Sequence, residues 1–168
     1  MNNNKILTIA FSALCATSVS AQTALDGDWQ LQQAGNTQAT LEAAVDSVVK
    51  EMNFFIRGLA RGALEKETVV CQQWQLQSDA QQFTWQCDDQ DPVTLNLSGE
   101  TLLKGDDDRE IRGTFQYADG RIETTLASER GVRTNVWQLT ENGEVSYTAT
   151  LVSEKLPKPL TWTLTYAR

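Results

Sequence analysis

Turn signals spaced too closely for any helical crossover constrain this chain more than anything else in it. Asp119-Gly120, Arg130-Gly131 and Asn142-Gly143 each separate short runs in which apolar and polar residues alternate, the pattern of tight hairpin connections. From Thr68 onward the candidate strands are Thr68–Gln77, Gln82–Asp88, Val93–Leu97, Glu110–Tyr117, Arg121–Ser128, Val132–Thr140, Glu144–Ser153 and Leu160–Ala167, with Thr101–Lys104 as a short addition. Parallel strands need a connection of about a dozen residues or more. These gaps are shorter, so the segment reads as an antiparallel meander of about eight strands. Such a meander closes into a barrel or bends into a strongly curved sheet.

Register follows from which residues would face each other. A two-residue turn at Asn142-Gly143 sets Leu139 against Ser146 and Trp137 against Thr148. One extra residue, with Gly143 left-handed in a bulge, sets Leu139 against Val145 and Trp137 against Tyr147. A one-residue slip moves every side chain to the other face, and only the bulged register puts apolar beside apolar. A hairpin centred on Asp79 sets Cys71 opposite Cys87, within disulfide reach on adjacent strands.

The chain before the meander is different. Leu25–Gln33 alternates around Trp29 and Leu31 and predicts a first strand, which Ala34-Gly35-Asn36 ends. From about Gln38 to Lys66 the period becomes helical: Leu41, Val45, Val48, Met52, Phe55 and Leu59 fall on one stripe. Asn53 or Gly58 offers a break, so the insert is one long helix or a pair.

The final strand places Trp162, Leu164, Tyr166 and Arg168 on one face and threonines on the other. The same alternation turns Phe115, Tyr117, Ile122, Leu126, Trp137, Leu139, Val145, Tyr147 and Leu151 inward, and carries Asn135 and Arg133 with them. Apolar walls with a few convergent polar groups describe a small-molecule pocket. The candidate ligand-binding residues are therefore Arg133, Trp137, Tyr147, Trp162 and Tyr166. A filled core with Arg133 at its rim is the competing reading, and it leaves open whether the interior is hollow.

The first residues fix an expected address. One basic residue, Lys5, precedes an apolar run of about eleven residues, Ile6–Ala16, and Val19-Ser20-Ala21 supplies small residues at a cleavage site. The run is shorter than the roughly 20 residues of a membrane-spanning helix. Met1–Ala21 is read as a cleaved signal peptide, and residues 22–168 as one domain with its helical insert at about 38–66. The product is expected to be periplasmic or secreted, from a bacterium, with no stable membrane insertion. Cleavage removes Cys15 and leaves Cys71 and Cys87, an even pair that reads as a disulfide in an oxidising compartment.

Composition narrows the chemistry. The chain carries a formal net charge of −8, a poor match for nucleic acid. It has no histidine, which removes the commonest general base and the commonest zinc ligand. No catalytic residues, cofactor or metal site are expected. Gly105–Glu110 is acid-rich enough to suggest a calcium loop but lacks EF-hand spacing, and reads first as a solvated turn. Trp74, Leu76, Phe83 and Trp85 interleave the glutamine-rich Gln72–Gln82 and suggest either strand packing or a partner surface.

Gly27-Asp28-Trp29 on the first strand resembles the Gly-X-Trp signature of lipocalins and fatty-acid-binding proteins, the calycin-type barrels. The helical insert straight after strand one is similar to the helix-turn-helix lid of the fatty-acid-binding branch. The resemblance implies that a late arginine, Arg168, packs across Trp29 in a structural role. That branch anchors a ligand carboxylate through Arg-X-Tyr on its last strand, whereas this chain has Tyr166-X-Arg168. The inward aromatic face with at least one arginine makes the leading expectation a non-enzymatic exported protein with a calycin-like barrel, holding a small apolar or amphipathic ligand whose polar end is met by Arg133, Tyr147 or Tyr166. The alternative is a protein-interaction module with a filled core, an enzyme inhibitor or envelope chaperone whose partner is an envelope or extracellular protein. A hydroxyl- or Arg/Tyr-dependent enzyme is a third possibility, since calycin-type barrels occasionally host catalysis.

Overall fold

Period-two alternation gives every strand one apolar side, and a sheet curled on itself lets all those sides share one interior. The computed structural model describes residues 23–32, 34–105 and 107–168; the expected signal peptide lies outside them. Strand β1 (Gly27–Leu31) is followed by helix α1 (Ala34–Val49), a 3-10 turn (Phe54–Ile56) and helix α2 (Arg57–Glu67). Nine strands complete the chain: β2 (Gln73–Ser78), β3 (Gln82–Cys87), β4 (Val93–Asn96), β5 (Thr101–Lys104), β6 (Glu110–Ala118), β7 (Arg121–Ser128), β8 (Gly131–Leu139), β9 (Val145–Val152) and β10 (Leu160–Ala167).

The ten strands form one antiparallel sheet in the order β4-β3-β2-β1-β10-β9-β8-β7-β6-β5. β1 pairs with β10, so the sheet curls round until its two edges, β4 and β5, face each other in a nearly closed barrel. Side chains rather than a ladder close that gap. Leu95 of β4 is fully buried against Gly113 of β6, where an added Cβ would come within 2.4 Å of the leucine Cδ2. The expectation of about eight strands is two short. Each observed strand nevertheless overlaps a candidate range, including the four-residue β4 and β5, so the shortfall lies in the total and not in the segments.

Two hairpins follow the turn chemistry closely. Ala118 pairs with Arg121 across Asp119-Gly120, both with positive φ. Leu139 pairs with Val145 and Trp137 with Tyr147, the bulged register expected at Asn142-Gly143, with Gly143 at φ 77°. Elsewhere the expected details are corrected. Ser128 pairs with Gly131, so Glu129-Arg130 forms the turn and Gly131 opens the next strand.

The β2–β3 hairpin turns about Ala80-Gln81. The Asp79 carboxylate accepts from the backbone N–H groups of Gln81 and Gln82 (2.7 and 2.8 Å). Trp74 then lies opposite Cys87 and Leu76 opposite Trp85, apolar beside apolar. Cys71 is therefore not cross-strand from Cys87. It sits before β2 and reaches back to form the disulfide, with a Cα–Cα distance of 5.2 Å. Trp74, Leu76, Phe83 and Trp85 are all buried, which overturns the partner-surface reading of this stretch.

The helical insert is a pair. α1 buries Leu41, Val45, Val48 and Val49, with Met52 just beyond its end, and packs on β10. It begins at Ala34 rather than after Asn36. The N–H groups of a first helical turn have no intrahelical partner, so Gly35 and Asn36 are tolerated there. Asn53 breaks the stripe: its side chain accepts from Phe55 N–H (3.0 Å). Arg57 seals the end of α1 by donating to the carbonyls of Met52 (3.0 Å) and Lys50 (2.8 Å). Past that break the expected stripe turns outward, leaving Phe55 90% and Leu59 84% exposed.

Candidate ligand cleft

Aromatic rings fill part of the barrel interior. Phe83, Trp85, Trp137, Tyr147 and Trp74 contact one another with ring centroids 5.1–5.9 Å apart, in edge, tilted and stacked arrangements. Aromatic pairs in this range add to the stabilisation from burial alone. Tyr166 borders the cluster, and its hydroxyl donates to the Cys71 carbonyl at 2.9 Å.

Against this packing a cleft of about 920 Å³ opens to solvent. Its walls come from both sides of the unpaired gap: Val93 and Thr94 of β4, Leu103 and Lys104 of β5, and Ile111 of β6. Trp74, Trp85, Tyr147 and Leu126 line it deeper down. The Cys71–Cys87 disulfide and Val69 flank it on the side of α2, and Asp89 and Asp91 stand at its rim. Its volume falls in the usual range for ligand pockets, about 300–1,000 Å³.

A polar network occupies one wall. Arg133 Nε donates to Asn135 Oδ1 at 3.1 Å, and the Tyr147 hydroxyl donates to the same oxygen at 2.9 Å. Asn135 Nδ2 donates to Thr124 Oγ1 at 3.1 Å. The Arg133 guanidinium lies 5.4 Å from the Trp162 ring centroid, a cation–π arrangement. Among the described residues its terminal nitrogens make only long contacts, 3.4 Å to the Glu67 carbonyl and 3.5 Å to the Tyr147 hydroxyl. This cation is thus held in place yet retains donors for an incoming acceptor. Burial pushes the Tyr147 hydroxyl pKa above its ordinary value, a shift the Arg133 charge opposes. Burial likewise raises Tyr166.

Of the five expected ligand-binding residues, Arg133 and Tyr147 line the cleft. Trp137 is sealed in the aromatic packing, Trp162 lies beneath Arg133, and Tyr166 is fully buried beside Cys71. Tyr117, expected inward, is 46% exposed near the opposite end of the barrel. Alternation places Asn135 inward, while Trp74 and Trp85 became legible as wall residues only once the β2–β3 register was known.

Two other expectations concern structure rather than binding. The Arg168 guanidinium lies 4.6 Å from the Trp29 ring centroid and donates to the carbonyls of Ala24 and Asp26 (3.0 and 3.1 Å). Trp29 itself donates to Leu25 O at 2.8 Å. Around Gly105, Asp107 pairs with Arg109 and Arg130 (3.6 and 2.6 Å), and Asp108 with Lys104 (3.9 Å). Among the described residues no group of acids, cysteines and histidines is arranged to hold a metal.

A gapped ten-stranded barrel with two helices after the first strand defines the fold: that of the fatty-acid-binding, lipocalin-like calycin proteins. No family model and no curated protein matches the sequence. The chain is similar in structure to the REP1-NXSQ fatty acid transporter at 12% identity and a TM-score of 0.51, over 86% of this chain and 95% of that one. It is also similar to apo Caenorhabditis elegans lipid binding protein 8, at 10% identity and a TM-score of 0.50, with the same coverage of 86% and 95%. Both names are those of binding or transport proteins.

Proposed function

We propose that this chain is an exported, non-enzymatic binding protein that holds a small apolar or amphipathic ligand of the lipid class. The cleft carries the reading: aromatic and aliphatic walls run to a fixed arginine with unsaturated donors. The ligand's chain would lie along Trp74, Trp85 and Leu126, with its polar end at Arg133 and Tyr147. Export is supported by the amino-terminal pattern through Ala21 and by a disulfide suited to an oxidising compartment. Sequencing the exported product tests that address, with Gln22 expected as its first residue.

Displacement of a fluorescent fatty acid by dodecanoate tests the binding. Wild type should bind, and Arg133→Gln should weaken binding about tenfold, since hydrogen bonds to charged groups contribute about 1.5–3 kcal/mol. Absence of binding up to about 1 mM would sink the reading.

One observation favours a second reading, a protein-interaction module. Phe54, Phe55, Ile56 and Leu59 form a contiguous exposed apolar tip at the α1–α2 junction, the kind of patch that marks contact surfaces. An envelope protein that co-purifies with wild type and with Arg133→Gln, but not with Phe55→Ser, would favour it.

A further inference from the structure

We propose that Arg133 is a latch for the helical lid, released when the cleft takes an anionic ligand. The proposal rests on the binding reading above. Helix α2 is fastened mainly to its neighbours: it packs on α1 and the 3-10 turn, Arg61 pairs with Asp46 of α1, and Leu64 is its one buried residue. Besides the backbone bond that Leu31 N–H donates to the Gln72 carbonyl (2.8 Å) at the edge of β2, three ties hold the strap that joins it to β2. The Arg133 guanidinium donates to the Glu67 carbonyl, Tyr166 donates to the Cys71 carbonyl, and Cys71 is bonded to Cys87.

These ties differ in kind. The two at Cys71 are a covalent bond and a buried hydrogen bond, so Cys71 is the fixed end. The tie at Glu67 is a 3.4 Å bond from a half-buried guanidinium that lines the cleft. A cation at the last carbonyls of a helix is favourable. A carboxylate, however, makes hydrogen bonds roughly twice as strong as those of a neutral carbonyl. A carboxylate that bridges both terminal nitrogens of Arg133 therefore turns the guanidinium into the cleft and draws it off the Glu67 carbonyl. The strap then swings on Cys71, and α2 loses its tie to the barrel wall. An uncharged ligand of the same length fills the cleft without breaking that bond. Arg133 thus acts on the lid as a positioning residue, coupling the ligand's charge to the cap's mobility.

Limited trypsin digestion of the oxidised protein reads this directly, because α2 carries cleavage sites at Arg57, Arg61 and Lys66. Dodecanoate should raise the cleavage rate within α2 roughly tenfold, as cleavage tracks the open population. Dodecanol should not, and apo Arg133→Gln should be cut at the dodecanoate-bound rate and stay insensitive to ligand. Bound dodecanoate, followed by tryptophan fluorescence, that slows cleavage or leaves it unchanged would overturn the latch. So would an Arg133→Gln protein as resistant as wild type. If Arg133→Gln does not fold, the two wild-type arms decide. If dodecanoate does not bind at all, the binding reading falls, and comparison of the two apo proteins alone decides the latch.

Discussion

Replacing both bridged cysteines, Cys71→Ser with Cys87→Ser, should destabilise the protein by about 3 kcal/mol. The bonded residues are 16 apart in sequence, and cross-linking a loop of that size removes about that much chain entropy from the unfolded state. For a domain of this size 1 kcal/mol corresponds to about 2–4 °C in Tm, so the melting temperature should fall by about 6–12 °C. The reasoning places the effect in the unfolded chain, which makes a second claim. Tyr166 already fixes Cys71 in the folded state through its hydrogen bond, so Tyr166→Phe should cost about the same, about 1 kcal/mol, with or without the disulfide. Equilibrium denaturation of the four proteins in this cycle gives both numbers. A disulfide contribution below about 1 kcal/mol, or a coupling between the changes above about 1 kcal/mol, would refute the entropic account. A large coupling would mean that the bond works by positioning the strap in the native state.

Gly131→Ala should cost more than about 2 kcal/mol, because Gly131 has φ 141° and a Cβ there would sit 2.2 Å from the Val152 carbonyl oxygen; denaturant midpoints check this. Gly113→Val should cost about 1–3 kcal/mol by forcing Leu95 away from the seam between β4 and β6, as overpacking does, and should increase amide exchange in β4. Tyr147 and Tyr166 have raised pKa values in the fold. Their stabilising contribution is therefore complete below the unfolded tyrosine value, near pH 10, and is lost as pH rises above it. Unfolding free energy should accordingly fall from about pH 10 upward. Absorbance titration of tyrosinate should show more ionisation in the denatured chain than in the folded one at the same alkaline pH.

Residue spacing carried the architecture well and the site only in part. Tight turns and alternation were sufficient for an antiparallel meander, with barrel and strongly curved sheet both left open, and at Asn142-Gly143 matching apolar faces selected the observed bulge. The same criterion, applied to Trp74, Leu76, Phe83 and Trp85, selects the observed β2–β3 register. Centring the hairpin on Asp79 to align the cysteines misplaced it, because a disulfide can be reached from a strap outside the strand. The outward turn of Phe55 and Leu59 was hidden for another reason. A helical stripe records periodicity, and a break at Asn53 re-aims whatever follows without disturbing the spacing. Which inward residues meet an empty volume was also beyond the pattern. Trp137 and Tyr147 face each other across paired strands, yet only Tyr147 lines the cleft. The Tyr147 hydroxyl reaches towards Asn135 and Arg133, whereas Trp137 is enclosed by neighbouring rings.

A crystal structure of the protein grown with dodecanoate bears most directly on the central claim. The account predicts the acyl chain in the cleft against Trp74, Trp85 and Leu126, with the carboxylate about 3 Å from a terminal nitrogen of Arg133. A cleft closed by its own side chains, or dodecanoate bound only at the apolar tip around Phe54 and Phe55, would contradict it.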